Sequence, residues 1–229
     1  MQLSLSQFCI SSAMVLFHKY FLLSSHKIST TSDAKIYAAA CLFIAIKTNF
    51  GFISVERLSS AFKTLVKFGE KEGKKLDKKL VKCELKVLSR IGFDLEIILP
   101  YKFLEIFFDY LRIILNDTEK IRNFLQTSNN FINDSFKIPL CLFYQPRLIA
   151  LASVFLTAKL FNISLPDVEG LKWFNLVDES LGSVENLSEI ANLMSNMYKI
   201  ISVEIENGEK KDMNLKKLIK FKEETIGRL

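Results

Sequence analysis

The sequence predicts an all-α protein made of two tandem helical bundles, and three observations carry that prediction. No alternating apolar and polar pattern of useful strand length occurs in the 229 residues. The stretch Ser32 to Lys47, SDAKIYAAACLFIAIK, is apolar on every face from Ile36 to Ile46. Such a helix must be enclosed by other helices, and its alanines let their backbones come close. A second copy follows: Arg147 to Lys159, RLIALASVFLTAK, superimposes on Lys35 to Lys47 without a gap, setting Ala150 on Ala38, Ala152 on Ala40, Phe155 on Phe43 and Lys159 on Lys47. An amphipathic helix precedes each copy and another follows it, so an internal duplication of roughly 110 residues is expected.

The elements follow in order. Leu3 to Leu23 carries Ile10, Met14, Phe17 and Phe21 on one line and Ala13, Leu16 and Tyr20 on the next, the spacing of an amphipathic helix. SSHKISTTSD ends it, and Ser32 and Asp33 are suited to cap the central helix. The central run of 11 apolar residues falls short of the roughly 20 that span a bilayer, which makes it a core helix. After TNFGFIS, Ser54 caps a short helix with Val55, Leu58, Ala61, Phe62 and Leu65 inward. A lysine-rich connector leads to Leu76 to Ile91, where Leu80, Cys83, Val87 and Ile91 form a stripe and Gly92 ends the helix. FDLEIILP is then an extended linker to Pro100.

Beyond Pro100, YKFLEIFFDYLRIIL forms a strongly apolar helix, with Asp117 and Thr118 as stop and restart. Glu119 to Phe136 follows with Ile121, Phe124, Leu125, Ser128, Phe131 and Ile132 inward. Pro146 opens the second central helix, a favoured first-turn position for proline. A short helix around Leu171 to Leu176 and a longer one from Val184 to Val203 complete the second unit. From Glu204 the chain is charge-rich, with one amphipathic patch, LKKLIKF, and is expected to form a mobile tail or a helix packed on the surface.

Composition excludes several function classes. Hydrophobic residues at 49% against 24% charged are those of a globular protein. The net charge of +6 is modest, and much of it sits between Lys63 and Lys82, a solvated connector rather than a phosphate-binding patch. Cys9, Cys41, Cys83 and Cys141 are scattered, without a CxxC pair or clustered histidines, so no zinc site, metal or cofactor is expected. Reduced thiols and the lack of a basic-then-apolar opening predict an intracellular protein without a secretory signal, and the sequons at Asn116, Asn133, Asn162 and Asn186 then read as chance. GEKEGKK, from Gly69 to Lys75, imitates a phosphate loop but is one residue short, lacks Ser or Thr after the lysine and follows no strand. His18 and His26 have no nucleophile or metal partner at a useful spacing, so no enzyme is expected and no catalytic residue is assigned.

Three stretches then resemble the first box of the cyclin family: ISSAMVLFHKYFLLSS, AAACLFIAIK and KCELKVLSRIGFDLEIILPYKFLEIF. SNNFINDSFKIPLCLFYQPRLIALASVFLTAK, LKWFNLVDES and NMYKI resemble its second box. The FINDS segment, the aliphatic helix after Gln145 and Pro146 and the Trp173–Phe174 step are most similar to the transcription-associated C, H, K, L and T group, and less to the cell-cycle group. The resemblance implies a first box over residues 1–98, a second over 99–203 and a charged tail over 204–229. It also implies that the chain begins at the family's second helix, so that the central helix lacks a covering neighbour and exposes apolar surface.

By the same resemblance the chain is a regulatory subunit that binds and activates a cyclin-dependent protein kinase, acts on transcription through the repeat tail of RNA polymerase II, and resides in the nucleus. Lys47 matches the family's kinase-contacting lysine and Glu84 its glutamate partner. Ile44, Lys47 and Thr48 share one helix face, as do Glu84 and Leu88, and with Phe93 and Leu95 they complete the implied kinase-binding surface. Thr48, Asn49 and Phe50 depart from the family, which often has acidic residues after the lysine. The alternatives within the same likeness are a cell-cycle cyclin and a general transcription factor, the latter binding DNA and the basal machinery. Such a factor calls for a basic face on the boxes and a zinc ribbon, neither of which is evident, which speaks against direct nucleic-acid binding.

Overall fold

The computed structural model describes residues 4–24, 31–49, 51–65, 76–167, 170, 172–176 and 185–206. Among them are eight α-helices, three 3-10 turns and no strand, so the protein is all-α. The chain divides into two compact units, Met1–Leu99 and Pro100–Leu229. No helix among the described residues is long and apolar enough to cross a membrane. His26, Phe50, GEKEGKK with most of the lysine-rich connector, Leu171 and the tail from residue 207 lie outside the described residues.

The first unit holds α1 (Gln7–Leu23), α2 (Thr31–Asn49), α3 (Val55–Leu65) and α4 (Leu76–Arg90). α2 is its axis, packed against α1, α3 and α4. Ile36, Ala39, Ala40, Cys41, Phe43, Ile44, Ala45 and Ile46 are buried, and Tyr37 and Leu42 are half-buried against the same core. The expectation that this helix leaves an apolar face open therefore does not hold, because α1 lies along it and takes the exposure instead, through Phe8, Ile10, Leu22 and Leu23.

Three local details differ from the sequence reading. α1 starts at Gln7, capped by Ser6, whose Oγ accepts from the Cys9 backbone N–H at 3.3 Å. Its buried line is Cys9, Ala13, Leu16 and Tyr20, whereas Ile10 is 37% exposed. Ser12 enters the core because its hydroxyl donates to the Phe8 carbonyl at 2.9 Å, so a small polar residue takes a place that hydrophobic spacing gives to a larger one. Third, α2 begins at Thr31, which puts Ser32 and Asp33 inside the first turn, where an acidic side chain favours the positive helix end.

α4 ends as the glycine suggested. Gly92 takes φ +65, the Gly92 N–H donates to the Ser89 carbonyl at 3.3 Å and the Phe93 N–H to the Leu88 carbonyl at 2.9 Å, the paired closure of a Schellman motif.

The second unit holds α5 (Ile106–Leu115), α6 (Thr118–Ser135), α7 (Pro146–Phe161) and α8 (Glu185–Glu206). α7 is its axis, between α6 and α8, with Ile149 to Val154, Thr157 and Ala158 buried. The apolar helix after Pro100 starts later than its composition suggests, since Pro100–Phe103 forms a 3-10 turn closed by the Leu104 N–H on the Tyr101 carbonyl. Tyr101 is committed there: its hydroxyl donates to Asn133 Oδ1 at 2.7 Å. Asn116 ends α5 in the left-handed region, and Asp117 caps α6, accepting from Glu119 and Lys120. The short helix expected near Leu176 is a 3-10 turn, Trp173–Leu176.

Candidate partner-binding surface

Lys47 lies in the last turn of α2, where a cation complements the negative helix end. Phe43, one turn earlier, sits under it, with the ammonium 3.9 Å from the ring centroid. Glu84 of α4 receives that ammonium at 2.6 Å through Oε1, with side-chain exposures of 41% for the lysine and 13% for the glutamate. A charge-assisted bond of this kind fixes both side chains and leaves donor and acceptor capacity facing outward. The end of α2 is closed by side chains: Thr48 Oγ1 lies 3.1 Å from both the Ile44 and the Ala45 carbonyl oxygens, and Asn49 Nδ2 donates to the Ala45 carbonyl at 2.8 Å.

Phe93 is displayed past the C-terminal end of α4, nine residues beyond Glu84. It follows Gly92 with φ +58, a conformation that a bulky residue adopts only where its surroundings impose it, and it is 61% exposed. The next residue is anchored: Lys19 of α1 donates to Asp94 Oδ2 at 2.9 Å, and Asp94 Oδ1 accepts from the Glu96 N–H. The hydrogen bond and charge of Lys19 hold the Asp94 carboxyl below the usual carboxylate range. Leu88 and Leu95 are half-buried against the core of the first unit.

Of the seven residues singled out by sequence, Lys47 and Glu84 are bonded to each other, Thr48 and Phe93 are exposed, and Leu88 and Leu95 are partly covered. Ile44 is corrected: at 2% exposure its side chain belongs to the core and offers no surface to a partner. Sequence reasoning passed over Phe43 and the Lys19–Asp94 clamp. The Phe43–Lys47 spacing of one helical turn could have revealed the first, but nothing in the sequence links residues 75 apart.

Burial pushes the Cys41 and Cys83 thiols up, away from thiolate reactivity. No three His, Cys, Asp or Glu side chains converge among the described residues.

No family model matches the chain. Cyclin-T1-5 of Arabidopsis thaliana is 28% identical over 209 residues, covering 87% of this chain and 34% of that protein. Cyclin-L1 of Gallus gallus is 27% identical over 216 residues, covering 91% and 39%. An uncharacterized cyclin-L1-like protein of Schizosaccharomyces pombe is 24% identical over 217 residues, covering 88% and 78%. The chain thus spans little more than a third of the plant relative and most of the yeast one.

Proposed function

Starting from a chain whose homologues are cyclins, transcription-associated T and L types among them, we propose that it is a non-catalytic regulatory subunit of a cyclin-dependent protein kinase acting in transcription. Its two units are then two cyclin boxes, residues 1–98 and 99–203. The observation that carries the reading is the Lys47–Glu84 pair at 2.6 Å, set at the end of an enclosed helix.

A regulatory helix of the kinase would lie on this surface, its apolar side against Phe93, Leu88 and Leu95 and its backbone end groups within reach of Lys47 and Glu84. Because the subunit binds only the inward position of that helix, it shifts the kinase population toward the state in which the lysine–glutamate pair needed for phosphoryl transfer is formed. The substrate is the repeat tail of RNA polymerase II, and the site of action is the nucleus.

The test is to co-express the chain with transcriptional kinases, capture it, and assay phosphorylation of a polymerase-tail repeat peptide. The reading expects a captured kinase whose activity rises with the chain, and a loss of about tenfold or more for Lys47→Glu or Glu84→Lys. Full activation by both variants, or no kinase captured, overturns it.

A further inference from the structure

The outer face of α4 carries a second surface, beyond the kinase reading and not dependent on it. Lys78, Lys82, Lys86 and Arg90 recur every fourth residue and are all exposed, a row of cations about 18 Å long at 1.5 Å per residue. Val81, 48% exposed, and Leu85, 61% exposed, run alongside it. Helical spacing sets these two side chains between the cations and the edge that bears Glu84 and Leu88.

Both acidic residues of α4 are engaged elsewhere, Glu84 with Lys47 and Asp77 with Lys63 at 3.8 Å. Among the described residues no carboxylate pairs with any of the four cations. Like charges one turn apart repel, and this helix stacks three such pairs in succession. Some surface cations elsewhere are offset by a nearby carboxylate, as in Lys120 with Asp117 and Lys137 with Asp134.

We propose that this face docks an acidic amphipathic segment of a partner protein, its carboxylates on the four cations and its apolar side chains on Val81 and Leu85. Charge selects the occupant. The chain's own residues 207–229 hold seven Lys and Arg against four Asp and Glu, so the tail is repelled rather than drawn in. A nucleic acid would meet the cations but make no use of the aliphatic pair, since bases stack on aromatic side chains and this face presents none.

The experiment titrates the full chain into a fluorescein-labelled 18-residue helical peptide with leucines on one face and glutamates on the other, followed by anisotropy. Parallel titrations use the same peptide with Gln for Glu, the same peptide with Ser for Leu, and a 20-nucleotide single-stranded RNA. The acidic peptide is expected to bind saturably and to weaken at least tenfold for Lys82→Glu/Lys86→Glu, several-fold for Leu85→Ser, and steeply with salt. That double variant sets two carboxylates one turn from Lys78 and Arg90, so its melting temperature should be no lower than that of the parent; Lys82→Gln/Lys86→Gln repeats the charge test without reversal. No saturable binding, equal binding of the Gln peptide, tighter binding of the RNA, or binding unaffected by both double variants overturns the proposal.

Discussion

Laid over each other at an offset of 112 residues, the distance from Lys35 to Arg147, the two axial helices differ in kind at two buried positions. Cys41 and Ala45 of α2 stand where α7 has Ser153 and Thr157. The same offset carries α1 onto α6, and there Leu16 stands where α6 has Ser128. In the second unit all three hydroxyls are satisfied: Ser128 Oγ donates to Thr157 Oγ1 at 2.9 Å, Thr157 Oγ1 to the Ser153 carbonyl at 2.8 Å, and Ser153 Oγ separately to the Ala150 carbonyl at 2.6 Å. In the first unit the matching contact is entirely apolar.

A buried polar pair can therefore replace an apolar one without altering the helix register, provided both partners change together, because a lone buried hydroxyl would bear its desolvation cost unrelieved. The outer ends of the two helices diverge as well. Lys159 lies over Phe155 at 4.3 Å as Lys47 lies over Phe43, but no carboxylate pairs with Lys159 among the described residues. What the two copies share is a packing scheme; what separates them is the glutamate that α4 brings to the first.

The largest test of that comparison removes the matched rings. Phe43, at 2% exposure, should lose about 3–5 kcal/mol on substitution by alanine, whereas Phe155, half-buried against Trp173, should lose less. Thermal melts of Phe43→Ala and Phe155→Ala read the difference, and equal losses would contradict the deeper enclosure of Phe43. A second test concerns the Ser128–Thr157 pair. Thr157→Val strands the Ser128 hydroxyl and should lose about 1–3 kcal/mol, while Ala45→Thr adds volume against Leu16 and should lose about as much by overpacking. A Thr157→Val variant as stable as the parent would mean the Ser128–Thr157 bond is idle.

The smallest effect is with pH. The Asp94 carboxyl in the first unit is held below its ordinary value of 3.8 by Lys19, and that of Asp117 in the second by the backbone N–H groups that it caps. Both lowered groups lend stability that is complete above 3.8 and is lost as pH falls through their folded-state values. Acid titration of Asp94→Asn and Asp117→Asn should therefore show a shallower decline below about pH 4 than the parent, and an unchanged decline would contradict both assignments.

The two enclosed helices could be read from sequence because a run of mixed small and large apolar residues has only one tolerable environment. The Schellman end at Gly92 was equally visible, since glycine there has a specific conformational use. Asn116 and Asn162, by contrast, sit in sequons that draw attention away from their place at the left-handed ends of α5 and α7. The FINDS segment suggested kinship but not its local work, in which Asn133 accepts from Tyr101 and Asp134 accepts from Tyr198 at 2.6 Å, tying α8 to α6. Periodicity favoured Ile10 for the core because it weighs side-chain size and cannot foresee that Ser12 hides its hydroxyl on its own helix. Lys47 and Glu84 were connected through the family motif alone, as 37 residues separate them.

The central claim is that the first unit, and not its copy, presents the partner-binding lysine. Affinity for the captured kinase, measured by biolayer interferometry on the parent chain, Lys47→Glu, Glu84→Lys and Lys159→Glu, tests it most directly. The account predicts that the first two variants bind about tenfold or more weakly while Lys159→Glu stays within about twofold of the parent. Loss confined to Lys159→Glu, or equal loss in all three, would contradict it.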